Sequence, residues 1–350
     1  MKDYIIVGFG FAGISFTHLL EKNNKNFVVI NDNPNPVTTT AAALFNPVIL
    51  KRFTPVWKAE EQMELLNIFY TEIQEKLNIP ILKKLAVFRK FTSLEEQNNW
   101  FSASDKPSLT PFLSTKIEKE INPYIETPFG LGEVMKTGRV DTKELVTHYI
   151  QKLKKEEKII EEKLDYSALE INENYVKYKD ISAKKIVFCE GYKVVDNPFF
   201  NYLPMQGSKG ELLTFRAELN LDKVVKSDGF IIPFGENIYK IGATYNNTDK
   251  TSTITKEARE ELTNKLKKLT SCPFEIIHQE AGIRPTIIDR RPLVGKHPEK
   301  DNIFILNGLG TRGAMLAPYT ATALYDFIEK NIPIDKEMNI SRFEKKFYTT

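Results

Sequence analysis

Apolar positions along the chain change their spacing several times, and each change predicts an element. Tyr4 to Val7 is a continuous apolar run that stops at glycine. Ile14, Phe16, Leu19 and Leu20 follow at helical spacing, and "NFVVIND" is a second continuous run. Strand, helix and strand within about 30 residues make a β-α-β unit. Leu65, Leu66, Phe69, Ile73 and Leu77 line one face of a helix over 57–77, and Leu145, Tyr149, Ile150 and Leu153 one face of another over 142–155. Between 203 and 246 the texture shifts to short runs, "GELLTFR", "GFIIPFG" and "NIYKIGATY", parted by turn residues, which predicts an antiparallel sheet. The end of the chain returns to the first texture: "DNIFILNG" reads as a buried parallel strand and "PYTATALYDFIEK" as a helix with Pro318 near its first turn. The fold class expected is therefore α/β: a Rossmann-like nucleotide-binding domain with a mostly parallel sheet, interrupted by an antiparallel-sheet domain. By these pattern changes, residues 1–44, 142–202 and 284–350 build the nucleotide-binding domain, and 45–141 and 203–283 the second.

Composition narrows the function classes without choosing one. The chain has 350 residues, 41% of them hydrophobic, enough to bury a sizeable core. Its 49 basic and 46 acidic residues leave a net charge of +3, too small to dictate a nucleic-acid or membrane partner by itself. Cys189 and Cys272 lie far apart with no CxxC pair, which argues against a disulfide scaffold and a cysteine-rich metal site, so no metal is expected. No basic leader and no long apolar span is visible, and the expectation is a soluble, cytoplasmic protein.

The candidate chemistry starts at "YIIVGFGFAG". In a dinucleotide site Gly8 makes the tight turn, Gly10 lets the backbone approach a pyrophosphate, and Gly13 lets helix and strand pack closely. With Phe9, Phe11 and Ala12 between them, these residues would present N–H groups and a positive helix end to phosphates. Asn31 occupies the slot where an acidic residue normally accepts ribose hydroxyls, with Asp32 one place later, so either could make that contact. The glycines alone do not distinguish NAD from FAD. Three other stretches bear on that choice: "TTTAAALFNP" at 38–47, whose small residues suit close passage by a large ligand or tight packing; "KKIVFCEGY", a strand ending in Glu190 and Gly191; and "NGLGTRGAMLAP" at 307–318, a second glycine-rich turn into a helix.

Together these stretches, with "GRVDTKEL", "MQGSKGELL", "IIPFGENIYKIGATY" and "AGIRPTIIDRRPLVG", resemble the D-amino-acid oxidase and glycine oxidase family of FAD-dependent oxidoreductases, in the family's order and over nearly the whole chain. The resemblance implies FAD held by Gly8, Phe9, Gly10, Phe11, Ala12, Gly13, Asn31, Asp32, Thr39, Thr40, Ala41, Ala42, Glu190, Gly191, Gly308, Gly310, Thr311, Arg312 and Gly313, with an antiparallel sheet over the flavin ring. It implies Arg284 as anchor of a substrate carboxylate, a task suited to a planar guanidinium. The competing reading of Arg284 is an ion pair with Asp289. Tyr245 is a weaker pocket candidate, and Arg290 and Arg291 read as surface or interdomain pairing residues. The implied reaction is hydride transfer from the carbon beside the amine of a small amino acid to flavin, giving an imine that water hydrolyses, with dioxygen or another acceptor reoxidising the flavin. His18, His148, His278 and His297 are scattered and read as packing or surface residues, and no side chain is positioned for covalent flavin attachment. Two alternatives stay open. "GLGTRGAMLAP" also resembles the oxidase half of the bacterial enzyme that builds methylaminomethyl wobble uridine in tRNA, and Lys51, Arg52 and Trp57 could face RNA; the small net charge and the lack of the companion methyltransferase half in these residues weigh against it. The other alternative is an NAD-binding or non-catalytic Rossmann protein.

Overall fold

A computed structural model describes residues 1–32 and 37–349. The strands predicted from continuous apolar runs form the middle of the first sheet. Lys2–Val7 lies parallel between Phe27–Ile30 and Ile181–Phe188, and Ile303–Asn307 pairs in parallel with Ile181–Phe188. Phe27–Ile30 and Ile303–Asn307 are buried along their whole length, as expected for parallel strands covered on both faces. Short strands Ile159–Ile160 and Val176–Tyr178 followed by Leu169–Ile171 extend the two edges, and Leu293–Lys296 runs antiparallel beside Ile303–Asn307.

The Phe11–Lys22, Ala59–Leu77 and Gly313–Lys330 helices pack together on one face of this sheet, where Phe16 meets Tyr4 edge-on at 5.6 Å between ring centres. The last helix begins at Gly313, five residues before Pro318, so the proline sits in the second turn rather than the first. A proline there deprives the carbonyl four residues earlier of its helical donor. The Ala59–Leu77 helix supplies a replacement, because the buried Tyr70 hydroxyl donates to the Ala314 carbonyl at 3.0 Å.

The second sheet has eight strands in the order Glu275–Arg284, Ser208–Arg216, Ile238–Gly242, Phe230–Gly235, Val224–Lys226, Val87–Lys90, Leu131–Val134, Leu113–Glu118. All pair antiparallel except Val224–Lys226 with Val87–Lys90, which run parallel. One face packs Leu213, Phe215, Val225, Ile231 and Ile241 against Leu262 and Leu266 of the Lys256–Leu269 helix. The alternate residues Leu212, Lys226, Phe230 and Ile232 face the first sheet across a cavity.

Candidate active site

That cavity has a volume of about 1340 Å³ and opens at the carboxyl ends of the parallel strands, where Val7, Ile30, Cys189 and Asn307 line it. Crevices of open α/β sheets form there, and the volume exceeds the range of roughly 300–1,000 Å³ of ordinary small-molecule pockets.

The glycine loop meets the cavity by steric necessity. Gly8 has φ +91°, and a Cβ on it would lie 2.6 Å from the Cys189 carbonyl oxygen. At Gly13 a Cβ would lie 2.1 Å from the Gly8 carbonyl oxygen, so this glycine serves contact between helix and loop and does not line the cavity. Gly10 faces the cavity, and its nearest neighbour to an added Cβ is the Thr38 hydroxyl at 3.0 Å. The helix starts at Phe11 without a side-chain cap from Gly10. Thr38 Oγ1 accepts from Phe11 N at 3.3 Å, which leaves the next first-turn N–H groups, of Ala12 and Gly13, beyond the reach of the helix's own carbonyls.

Asn31 is buried, and its Oδ1 accepts from Phe9 N at 3.1 Å, so the side chain in the usual acidic slot braces the glycine loop. Asp32 pairs with Lys193 at 2.6 Å. Burial pushes the Glu190 carboxyl above the usual carboxylate range, and it accepts from Tyr166 Oη at 2.5 Å and Asn197 Nδ2 at 2.7 Å. Thr40, Ala41, Ala42, Gly191, Gly310, Thr311, Arg312 and Gly313 all line the cavity. Thr39 and Gly308 do not; a Cβ on Gly308 would meet Ile287 at 2.8 Å and Leu293 N at 3.0 Å, on the packed side of the turn.

Arg284 ends its strand with its guanidinium laid across Gly210, where a Cβ would come within 1.9 Å of Nη2. It donates to the carbonyls of Thr244 at 3.2 Å and Lys209 at 3.3 Å, and its centre lies 4.4 Å from the Tyr245 ring. Asp289 is not its partner: that carboxylate pairs with Arg342 at 2.8 Å. Among the described residues no carboxylate pairs with Arg284, and burial pulls its pKa down. Arg291 pairs with Glu337 at 2.8 Å, and Arg290 is exposed. Tyr245 lies past the end of its strand and is 69% exposed, so it is no sheet-packing residue. Arg312 likewise lacks a carboxylate partner among the described residues, donates to the Asn46 carbonyl at 3.1 Å, and lies within electrostatic reach of Tyr245.

Sequence reasoning pointed to the 38–47 stretch without singling out Thr38 or Asn46 in it, and missed Lys226 altogether; all three line the cavity. The signal for Lys226 was period two: it shares a face with Val224, whose side chain belongs to the cavity-side core.

A sequence model of FAD dependent oxidoreductases, the DAO family, matches residues 3–326. The chain belongs to that family. It is thus an FAD-dependent oxidoreductase, and its fold recurs in glycine oxidase from Bacillus cereus at a TM-score of 0.81, with 19% identity over 96% of this chain and 99% of that one. Glycine oxidase of Bacillus subtilis is 28% identical over 168 residues, 46% of this chain and 44% of the relative. The tRNA 5-methylaminomethyl-2-thiouridine biosynthesis bifunctional protein MnmC of Idiomarina loihiensis is 24% identical over 153 residues, 41% of this chain and 25% of that protein. The chain thus spans less than half the length of each of these two sequence relatives, the Bacillus subtilis and Idiomarina loihiensis proteins. No described helix of this DAO-family chain is long and apolar enough to cross a membrane.

Proposed function

We propose that this DAO-family enzyme oxidises the C–N bond of a small amine bearing a carboxylate, such as glycine, an N-substituted glycine or a D-amino acid. The observation that carries the reading is Arg284: a half-buried guanidinium at the cavity, held flat by two carbonyls and an aromatic ring, with no carboxylate among the described residues to neutralise it. Such a fork is pre-organised for a bidentate carboxylate.

The cavity suits FAD by its own geometry, since Gly10 leaves room beside an uncapped helix start and a Cβ there would enter that room. Gly8, Phe9, Gly10, Phe11 and Ala12 would hold the pyrophosphate, Asn31 and Asp32 the ribose side, and Thr40 to Ala42 with Gly310 to Gly313 the remainder. Bound there, FAD supplies the acceptor for hydride from the carbon beside the amine, and the substrate leaves as an imine for hydrolysis. The chain's own residues orient and exclude. Arg284 fixes the carboxylate, Tyr245 covers the guanidinium, and the apolar Leu212, Phe230, Ile232 and Ile283 keep water from that wall of the cavity. No side-chain base is required when the amine arrives neutral. On this reading residues 1–44, 142–202 and 284–350 carry the cofactor and 45–141 with 203–283 the substrate wall.

Anaerobic mixing of the yellow holoprotein with glycine, sarcosine and D-alanine tests the reading: bleaching of the visible flavin band by one of them supports it, and a band unchanged by all three overturns it. The wobble-uridine reading draws on the partial match to the tRNA-modifying protein, but Trp57 offers RNA little. Its indole N–H donates to Glu337 at 2.7 Å, and its ring packs edge-on to Tyr319 and under Arg291.

A further inference from the structure

Lys209, Gly210 and Glu211 divide between the two faces of the second sheet. Gly210 faces Arg284, whose guanidinium lies across it. Lys209 and Glu211 point the other way, as alternation along a strand requires, and share the face of Leu213 and Phe215. Both are buried, at 1% and 2% exposure, and neither lines the cavity. A buried charge is costly unless it is paired and hydrogen-bonded. Lys209 Nζ donates to the Asp249 carboxylate and the Thr253 carbonyl, with Glu211 3.7 Å away. Glu211 accepts from Thr255 N at 3.0 Å, Thr255 Oγ1 at 2.8 Å and Gln279 Nε2 at 2.8 Å. The hydrogen bond from Lys209 pulls the Asp249 pKa down to about 2, with the Thr251 N–H and hydroxyl adding to the effect, so the carboxylate stays ionised far below neutral pH.

The connection from the Ile238–Gly242 strand to the Lys256–Leu269 helix, residues 243–255, is thus tied down at Asp249, Thr253 and Thr255. Its other side is the rim of the cavity, lined by Tyr245 and Ser252. It also supplies the Thr244 carbonyl and the Tyr245 ring that hold the Arg284 guanidinium. Lys209 supplies the remaining carbonyl, and its backbone exchanges hydrogen bonds with Asn246 at 2.8 and 3.0 Å, while Glu211 N donates to Thr244 Oγ1 at 2.9 Å. Every group that holds Arg284 therefore hangs on the same short stretch of strand.

We propose that Lys209 and Asp249 are positioning residues for the substrate: their buried pair latches the 243–255 connection in place, so that the Thr244 carbonyl and the Tyr245 ring keep Arg284 aimed into the cavity as a carboxylate fork. The inference rests on the reading of Arg284 as the holder of the carboxylate. Neither latch residue touches the substrate; they act by sparing Arg284 the ordering that binding would otherwise require. Immobilising one long side chain on binding forfeits about two- to tenfold in affinity, which sets the size of the effect.

The test reads carboxylate recognition alone, through the perturbation of the flavin spectrum of the FAD-loaded enzyme by (methylthio)acetate and by its neutral amide, neither of which offers an amine to oxidise. The wild type should bind the acid about tenfold or more tightly than the amide, and Arg284→Met should erase that preference. Lys209→Met would leave Glu211 buried without its cation, so the pair is broken from the loop side, by Asp249→Asn, whose Oδ1 can still accept from Thr251 N and Oγ1. That variant should keep its FAD and lose about two- to tenfold of the preference for the acid, with its affinity for the amide unchanged. A wild-type preference in Asp249→Asn, or an equal weakening of acid and amide, as general loosening of the fold would give, overturns the inference and leaves the reading of Arg284 standing. No preference in the wild type, or one that survives in Arg284→Met, overturns that reading and the inference with it.

Discussion

Two glycines three residues apart in the same loop should respond oppositely to the same methyl group. At Gly13 an added Cβ lies 2.1 Å from the Gly8 carbonyl oxygen, about 1.3 Å inside the 3.4 Å at which ordinary contact begins, and the obstacle is backbone. Alanine gains at most about 1 kcal/mol of helix propensity there. Overpacking commonly costs 1–3 kcal/mol and more when backbone must move, so Gly13→Ala should lower the stability of the flavin-free protein by about 2 kcal/mol or more. At Gly10 the nearest obstacle is the Thr38 hydroxyl at 3.0 Å, the end of a side chain, and the methyl points into the cavity. Gly10→Ala should therefore change apoprotein stability by less than about 1 kcal/mol. It should weaken FAD by about tenfold to a hundredfold, because the methyl competes for space with the pyrophosphate. The assay is urea unfolding of the stripped protein followed by FAD titration of each variant. Wild-type FAD affinity in Gly10→Ala, or wild-type stability in Gly13→Ala, would refute the division of labour within the loop.

Arg284→Met should raise KM for a carboxylate-bearing amine by about a hundredfold with FAD content unchanged, from the loss of a bidentate charge-assisted pair; steady-state kinetics with an unaltered KM would remove Arg284 from the site. Tyr70→Phe should cost about 1–3 kcal/mol in urea unfolding, because the Ala314 carbonyl, deprived of its helical donor by Pro318, loses the Tyr70 hydroxyl that replaces it; an unchanged midpoint would contradict that role. Buried His18 has its pKa pushed down to about 4 by burial, and by Lys76, whose ammonium donates to Nδ1 at 2.8 Å, while Nε2 faces Glu72 at 2.9 Å. The unfolded chain takes up this proton first, so the stability contribution is complete above about pH 6.5 and falls as pH drops toward 4, by about 3 kcal/mol in all. His18→Gln should flatten that part of the pH profile of unfolding, and an identical profile would contradict the assignment.

What was legible in the chain was what depends on local pattern. The parallel strands announced themselves as continuous apolar runs, and the glycine loop by strand, turn and helix in succession. What was not legible depends on partners distant in sequence. Period two alone could not reveal that Val224–Lys226 would pair in parallel with Val87–Lys90. "IRPTIID" invited an Arg284–Asp289 pair, but Arg284 ends a strand while Asp289 lies in the following turn, where Arg342 reaches it. Gly308 and Gly310 look equivalent in "NGLGTRG", yet one packs on Ile287 and the other borders the cavity, because only the fold says which side of a turn faces the ligand. Pro318 was read as a helix start because proline favours the first turn. The tyrosine that lets it sit deeper comes from another helix.

The central claim is that Arg284 makes a carboxylate the handle by which this flavoenzyme takes its amine. The measurement that tests it most directly is the flavin absorbance of the wild-type holoprotein and of Arg284→Met after anaerobic mixing with sarcosine and, separately, with dimethylamine, which lacks the carboxylate. Where sarcosine bleaches the wild type, the account predicts much slower bleaching of the variant at the same concentration, and no distinction between the two proteins with dimethylamine. Equal bleaching of wild type and variant by sarcosine would contradict it.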